Sequence, residues 1–225
     1  MILAEALRLI VITDGLLAHP RTVEEVVVEV LRAGVKAIQL RDKEASAREL
    51  LDHALVLRGR TREFGALLFI NDRLDVALAA AADGVHLGPN DLPVHAARRA
   101  SPPGFLIGTS TDIPDVAVEL QAAGADYIGC GTVFQTITKK DAGEVIGIEG
   151  LAAVAAVVDI PVVGIGGVSP EGAGQIAEGS GAVGTAVIRA VMASSNPGRV
   201  AKKLMAPFGG RGPAAQEREL LGGSS

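Results

Sequence analysis

The chain has 225 residues, enough for one domain or two, and a single α/β barrel alone uses roughly 200 to 250. Its 21 Lys and Arg against 26 Asp and Glu give a net charge of −5, which excludes a general attraction for nucleic acid or anionic membranes. The chain has one cysteine and no apolar run near the ~20 residues of a membrane span, so we expect an unprocessed, soluble, cytoplasmic protein.

Eight short apolar runs, most of them continuous, follow one another along the chain. Continuous apolar runs are typical of parallel strands that are covered on both faces. The predicted strands span residues 9–13, 37–40, 67–70, 84–87, 106–108, 127–129, 162–165 and 183–188.

Helical patterns lie between these runs. The first is the clearest, because Thr22 and Glu25 have the spacing of a capping box and Gly34 stands where the helix should stop. Further helices are predicted over residues 46–64, 74–82, 94–99, 115–123, 148–158, 170–178 and 199–205. Eight β-α units in alternation predict an α/β protein with a single (β/α)₈ TIM barrel over residues 1–208, followed by a flexible C-terminal tail over 209–225.

Polar, charged and glycine residues follow most of the predicted strands. In a barrel of this kind the carboxyl ends of all eight strands point at one rim, where active sites lie. The residues placed at this rim are Gln39, Arg41, Lys43, Asn71, Asp72, Asp91, Ser110, Thr136, Thr138, Lys139, Gly166, Gly167, Ile188 and Arg189. Paired carboxylates together with lysines and threonines predict a site for Mg²⁺ and phosphate.

Five motifs in order resemble the thiamine phosphate synthase family over roughly residues 8 to 207. They are Gln-Leu-Arg-Asp-Lys at 39–43, Ile-Asn-Asp-Arg at 70–73, Asp-Gly-Val-His-Leu-Gly at 83–88, Thr-Ile-Thr-Lys-Lys-Asp at 136–141 and Gly-Ile-Gly-Gly at 164–167. The resemblance implies an enzyme that couples 4-amino-5-hydroxymethyl-2-methylpyrimidine diphosphate to 4-methyl-5-(2-hydroxyethyl)thiazole phosphate. The products are thiamine phosphate and diphosphate.

The resemblance also implies roles for individual residues. Asp72 and Asp91 would hold Mg²⁺, and Gly166-Gly167 with Ile188-Arg189 would bind the thiazole phosphate through backbone N–H groups. Lys139, Arg41 and Ser110 are the implied catalytic residues. Around the pyrimidine diphosphate it places Gln39, Arg41, Lys43, Asn71 and Lys139, with Ser110 near the pyrimidine and Thr136 and Thr138 near phosphate. The implied mechanism is dissociative: the diphosphate departs, a pyrimidine-stabilised carbocation forms, and the thiazole nitrogen attacks it.

Three positions depart from the family pattern. Arg189 stands where many relatives have Ser, Pro89 where they usually have Gln, and Asp112 where they usually have His. Asp112 could alternatively cap the following helix, as Asp commonly does before a proline-containing first turn.

Other interpretations of the same residues remain open. Asp72 and Asp91 could be turn residues, Lys139-Lys140 a solvated pair, and Gly166-Gly167 strand-end geometry alone. His86 lies in an apolar strand, which favours a packed, hydrogen-bonded residue over a base, and Cys130 favours a small buried hydrophobe over a nucleophile.

Two other functions are also left open. One is a thiazole tautomerase-like isomerase of the same barrel family, and the other is a non-catalytic phosphate-binding regulatory barrel. The expected partners are phosphorylated small molecules, without nucleic acid or membrane; whether the chain forms a homo-oligomer is left open.

Overall fold

Eight parallel strands form a closed barrel in the order of the sequence, in a computed structural model that describes residues 2–136 and 144–209. The strands are β1 (Leu9–Ile12), β2 (Ala37–Leu40), β3 (Leu67–Asn71), β4 (Gly84–Leu87), β5 (Leu106–Ser110), β6 (Tyr127–Cys130), β7 (Val162–Ile165) and β8 (Gly184–Val187). The predicted TIM barrel is confirmed, and the largest error in a strand bound is at β5, which continues past Gly108 to Ser110.

Helices surround the barrel. They are α1 (Leu3–Ala6), α2 (Gly15–Ala18), α3 (Val23–Arg32), α4 (Ala47–Glu63), α5 (Leu74–Ala79), α6 (Val94–Ala100), α7 (Pro114–Ala122), α8 (Gly147–Ala155), α9 (Pro170–Gly179), α10 (Arg189–Met192) and α11 (Pro197–Met205), followed by a 3₁₀ turn at Ala206–Phe208. Within the part of the chain that the structure describes, no helix is long and apolar enough to cross a membrane.

The helix α3 forms for the reasons visible in its sequence. The Thr22 Oγ1 accepts from the Glu25 amide at 3.2 Å and the Glu25 carboxylate accepts from the Thr22 amide at 2.7 Å, so the predicted capping box is confirmed. Three valines and Leu31 of this helix are buried. Burying each such side chain stabilises the fold by about 1.5–3 kcal/mol.

Two predicted helices end earlier than the sequence pattern suggests. The helix α5 stops at Ala79 instead of residue 82, and Ala81 adopts φ +48°, outside the helical region. The helix α8 stops at Ala155 instead of residue 158. The four-residue helices α1, α2 and α10 were not predicted, since one turn is too short to show a helical period.

The register of the sheet sets which side chains meet inside the barrel. Asn71 pairs with His86, His86 with Gly108, and Gly108 with Tyr127. Side chains alternate between the two faces of a strand, and paired residues of parallel strands face the same side. These four positions on β3, β4, β5 and β6 therefore form one inward layer below the mouth of the barrel.

Candidate active site

A cavity of about 1670 Å³ opens at the carboxyl ends of the strands. Every predicted site residue within the described part of the chain lines it: Gln39, Arg41, Lys43, Asn71, Asp72, Asp91, Ser110, Thr136, Gly166, Gly167, Ile188 and Arg189. Thr138 and Lys139 lie outside the described residues, as does the tail beyond Gly209. Residues more than 140 positions apart in the chain thus share one space because the barrel brings its strand ends together.

Asp72 and Asp91 face each other in this cavity. Asp72 lies just after β3 with φ +64°, a left-handed conformation that aspartate tolerates better than most residues, and its amide donates to the His86 carbonyl at 2.8 Å. The Asp91 Oδ2 accepts from the Gly88 amide at 2.7 Å, which holds this carboxylate at the end of β4. A hydrogen bond with a backbone group therefore anchors each of the two residues at the rim.

The environment of the pair raises the pKa of Asp72 to about 6. Burial is the largest cause, followed by the hydrogen bond with Asp91 and the negative charge of that residue. The positive charges of Lys43 and Arg41 act in the opposite direction without cancelling the effect. Two adjacent, partly desolvated carboxylates repel each other, so the site favours either a proton or a cation between them.

The donor set fits Mg²⁺. This ion is usually held by one or two carboxylates together with substrate phosphate oxygens and water, not by a cage of protein ligands. Among the described residues, no cluster of three or more His, Cys, Asp or Glu side chains is suited to a metal.

Arg41 and Lys43 supply positive charge on the side of β2. The Thr13 hydroxyl at the end of β1 accepts from the Arg41 amide at 2.9 Å and donates to the Arg41 carbonyl at 3.3 Å, so it fixes the backbone at this position. Asp42 accepts from the amides of Glu44 and Ala45 at 3.2 Å instead of pairing with its basic neighbours. Thr13 is a positioning residue that the sequence analysis missed.

A partly buried polar cluster lies beneath the carboxylates. The His86 Nδ1 lies 2.9 Å from the Tyr127 hydroxyl, and the His86 Nε2 lies 2.8 Å from the Ser110 Oγ. Burial raises the pKa of Tyr127 far above its ordinary value, while a hydrogen bond from Gln39 acts in the opposite direction. The prediction of a packed, hydrogen-bonded His86 is confirmed.

Tyr127 itself was not predicted as a site residue. It is fully buried on β6 and reaches His86 on β4 across the intervening strand β5. Two signals mark it: it is the only tyrosine of the chain, and Gly108 leaves room beside it. The second signal becomes visible only when the register of the barrel is known.

The glycine pair after β7 is required by its backbone. Gly166 and Gly167 adopt φ +98° and +64°, and a Cβ at Gly167 would lie 2.5 Å from the Gln135 carbonyl oxygen. Backbone geometry is therefore sufficient to explain both glycines. After the neighbouring strand β8, Ile188 is the N-cap of α10 and Arg189 its first residue, so the two strand-end segments lie side by side along the cavity.

Two residues that depart from the family pattern also border the cavity. Asp112 and Pro89 both line it. The capping interpretation of Asp112 is wrong, because the N-cap of α7 is Ile113, whose amide donates to the Thr111 hydroxyl at 3.2 Å. Below Asp112, burial followed by the charge of this aspartate raises the pKa of Cys130 to about 12, so the thiol behaves as the buried hydrophobe that was predicted.

Comparisons with known proteins place the chain in a family. Residues 9–191 match the family model described as thiamine monophosphate synthase. The thiamine-phosphate synthases of Moorella thermoacetica and Pyrococcus furiosus are 43% and 45% identical, over 87% and 91% of this chain and 93% and 96% of theirs. A solved structure of thiamine phosphate pyrophosphorylase from Pyrococcus furiosus matches with a TM-score of 0.83 at 41% identity, covering 92% of this chain and 98% of that one. The chain belongs to the thiamine monophosphate synthase family.

Proposed function

We propose that the cavity at the mouth of the barrel couples the pyrimidine diphosphate and the thiazole phosphate, with a divalent metal at the Asp72–Asp91 pair. The chain is a transferase of thiamine biosynthesis that forms thiamine phosphate. The metal requirement, the roles of single residues and the dissociative mechanism are proposed in addition to this activity.

The two carboxylates would hold Mg²⁺ together with oxygens of the diphosphate. When bound, the ion neutralises negative charge on the leaving group. Without it, Asp72 and Asp91 would repel a substrate that carries several negative charges. The raised pKa of Asp72 is consistent with this assignment, because burial and then the neighbouring Asp91 disfavour its negative charge, which a bound cation would offset.

Arg41 and Lys43 would bind the diphosphate from the β2 side. Both charges act on Asp72 and both residues line the cavity, so they lie beside the proposed metal position. As the carbon–oxygen bond breaks, negative charge builds on the diphosphate, and fixed positive charge then stabilises the transition state more than the ground state. We assign Lys139, with Thr136 and Thr138, to the same leaving group from the loop after β6.

The organic parts of the substrates would lie deeper and on the opposite side. Ser110, Asn71 and Gln39, which all line the cavity, would surround the pyrimidine. The thiazole phosphate would bind the backbone N–H groups around Gly166-Gly167 and Ile188-Arg189. Arg189 could contribute its guanidinium as an additional phosphate donor.

We further propose a cytoplasmic location with small molecules as the only substrates. The net charge of −5 offers nothing to nucleic acid, and the single cysteine is buried and unpaired.

The observation that carries the proposal is the carboxylate pair facing Arg41 and Lys43 in one cavity of a family member. The decisive experiment incubates the purified chain with both phosphorylated substrates and Mg²⁺ and follows thiamine phosphate and diphosphate. Product formation that stops in excess chelator supports the proposal. Full activity in chelator contradicts the metal assignment, and phosphate binding without turnover would indicate the regulatory alternative.

A second experiment concerns Lys139. Lys139→Ala should lower kcat by about 10²-fold, the scale for loss of one preorganised electrostatic donor. Lys140→Ala is the matched control, because it removes an identical charge from the next position and should have a much smaller effect. Steady-state kinetics on both variants checks the assignment, which is wrong if Lys140→Ala proves the more damaging.

A further inference from the structure

Tyr127 reaches its partner through a gap that a glycine leaves in the barrel wall. Its register partner on β5 is Gly108, and a Cβ at Gly108 would lie 2.1 Å from Cζ and 2.5 Å from the hydroxyl oxygen of Tyr127. Any other residue at 108 would therefore displace the phenol. The absence of that side chain lets the hydroxyl cross β5 and contact His86 on β4.

The Tyr127 hydroxyl is the donor in its hydrogen bond with His86. The two ring nitrogens of His86 contact a phenol and an alkyl hydroxyl, and a phenol is the stronger donor and the weaker acceptor of the two, so the Tyr127 hydroxyl donates to the His86 Nδ1. A ring nitrogen that accepts a hydrogen bond carries no proton, and the proton of a neutral imidazole is then on the other nitrogen. The His86 Nε2–H accordingly donates to the Ser110 Oγ, 2.8 Å away.

We infer that Tyr127 is a positioning residue that fixes the tautomer of His86, so that Ser110 keeps its own hydroxyl proton for a hydrogen-bond acceptor of the bound substrate. This inference rests on the proposed placement of the pyrimidine beside Ser110. In the opposite tautomer, the His86 Nε2 would accept from Ser110, whose proton would then point away from the substrate. Tyr127 thus acts through two intervening side chains.

The tautomer can be observed without substrate or turnover. In ¹⁵N spectra of the histidine-labelled full chain at about pH 8, where an ordinary imidazole is neutral, the His86 Nε2 should show a protonated signal and Nδ1 an unprotonated one. The His86→Gln variant identifies the signals among the four histidines of the chain. A protonated Nδ1 in the unmodified chain overturns the inference, whatever the enzymatic activity.

The Tyr127→Phe variant tests the consequence for catalysis. We expect loss of the fixed tautomer in the spectrum and a fall in kcat/KM of about 10-fold, the scale of one lost hydrogen bond to a polar group in the site. In a Ser110→Ala background the same change should lower kcat/KM much less, because the part of its effect that passes through Ser110 is already lost. An equal loss in both backgrounds would show a merely structural role.

Thr185→Val is the matched control for these kinetics. Thr185 is fully buried on β8, alternates with the cavity-lining Ala186 and so faces the helices, and among the described residues its hydroxyl has no hydrogen-bond partner. Removing this buried hydroxyl should leave kcat/KM unchanged. If Tyr127→Phe fails to fold, the spectrum of the unmodified chain still decides the inference.

Discussion

The barrel uses aspartate in two different ways at its two ends. At the amino ends of the strands, Asp83 and Asp126 precede β4 and β6, and each accepts a hydrogen bond from the neighbouring strand, at Leu68 and Ile107. An arginine from the surrounding helices pairs with each of them, Arg58 in the first case and Arg98 in the second. At the carboxyl ends, Asp72 and Asp91 face each other instead.

The comparison separates residues that hold the fold from residues that serve the reaction. The lower aspartates, Asp83 and Asp126, each have their charge neutralised by an arginine and accept a hydrogen bond from a strand amide. They therefore stabilise the connection between helix and strand. The upper pair, Asp72 and Asp91, lies in a cavity where the two negative charges repel each other, which lowers the stability of the fold. Such an arrangement persists in a protein when a ligand needs it.

The largest expected effect comes from neutralising the upper pair. Asp72→Asn and Asp91→Asn should each lower kcat by about 10²-fold or more, because one of the two carboxylates that would hold Mg²⁺ against the leaving diphosphate is lost. Asparagine is preferred to alanine at position 72, because it tolerates the left-handed backbone and avoids added strain. Kinetics with saturating Mg²⁺ and a thermal melt of each variant provide the check, and a variant that unfolds would identify its aspartate as structural.

The lower aspartates should show the reverse behaviour. Asp126→Ala leaves the Arg98 guanidinium without its counter-charge and the Ile107 amide without its acceptor, so we expect a loss of about 2 kcal/mol. In a chain of this size that corresponds to a fall in Tm of about 4–8 °C. Below the new Tm, kcat should remain close to that of the unmodified chain. A large loss of kcat in the folded variant would remove the distinction between the two ends.

The pH dependence of stability should reveal the strain in the upper pair. Because the folded-state pKa of Asp72 is raised from 3.8 to about 6, its contribution to stability is fully present below pH 4 and is lost as the pH rises through 6. Asp72→Asn in metal-free protein should therefore raise Tm relative to the unmodified chain at pH 7, with the gain disappearing near pH 4. Melts across this range measure the difference.

An aspartate with the opposite shift serves as the control for this prediction. The hydrogen bond from Arg73 lowers the pKa of Asp75, so its contribution is lost as the pH falls instead of as it rises. Asp75→Asn should give no gain in Tm at pH 7. A gain of equal size in both variants would mean that general charge repulsion, and not the pairing of Asp72 with Asp91, is responsible.

Much of this architecture was predictable because parallel strands buried on both faces leave a clear signal. Runs such as 162–165 are continuous and apolar, and the alternation with helices specifies the barrel and hence which residues share its rim. The contact between Tyr127 and His86 was not predictable, because it depends on the register of three strands and on the missing side chain at Gly108. The distinction between Asp126 and Asp91 likewise required their partners to be seen.

The smallest expected effect tests whether buried polar groups outside the cavity carry any function. Thr185 is buried in the wall of the barrel, and within the described part of the chain its hydroxyl makes no hydrogen bond, so it bears a desolvation penalty without compensation. Valine has nearly the same shape and suits a strand, so Thr185→Val should stabilise the fold by up to about 1 kcal/mol and leave catalysis unchanged. Urea unfolding of the two proteins compares their free energies of unfolding. A destabilised variant would mean that the Thr185 hydroxyl forms a hydrogen bond in solution. The buried polar groups of the barrel wall would then be hydrogen-bonded like those at the cavity, and the two regions would not differ in this respect.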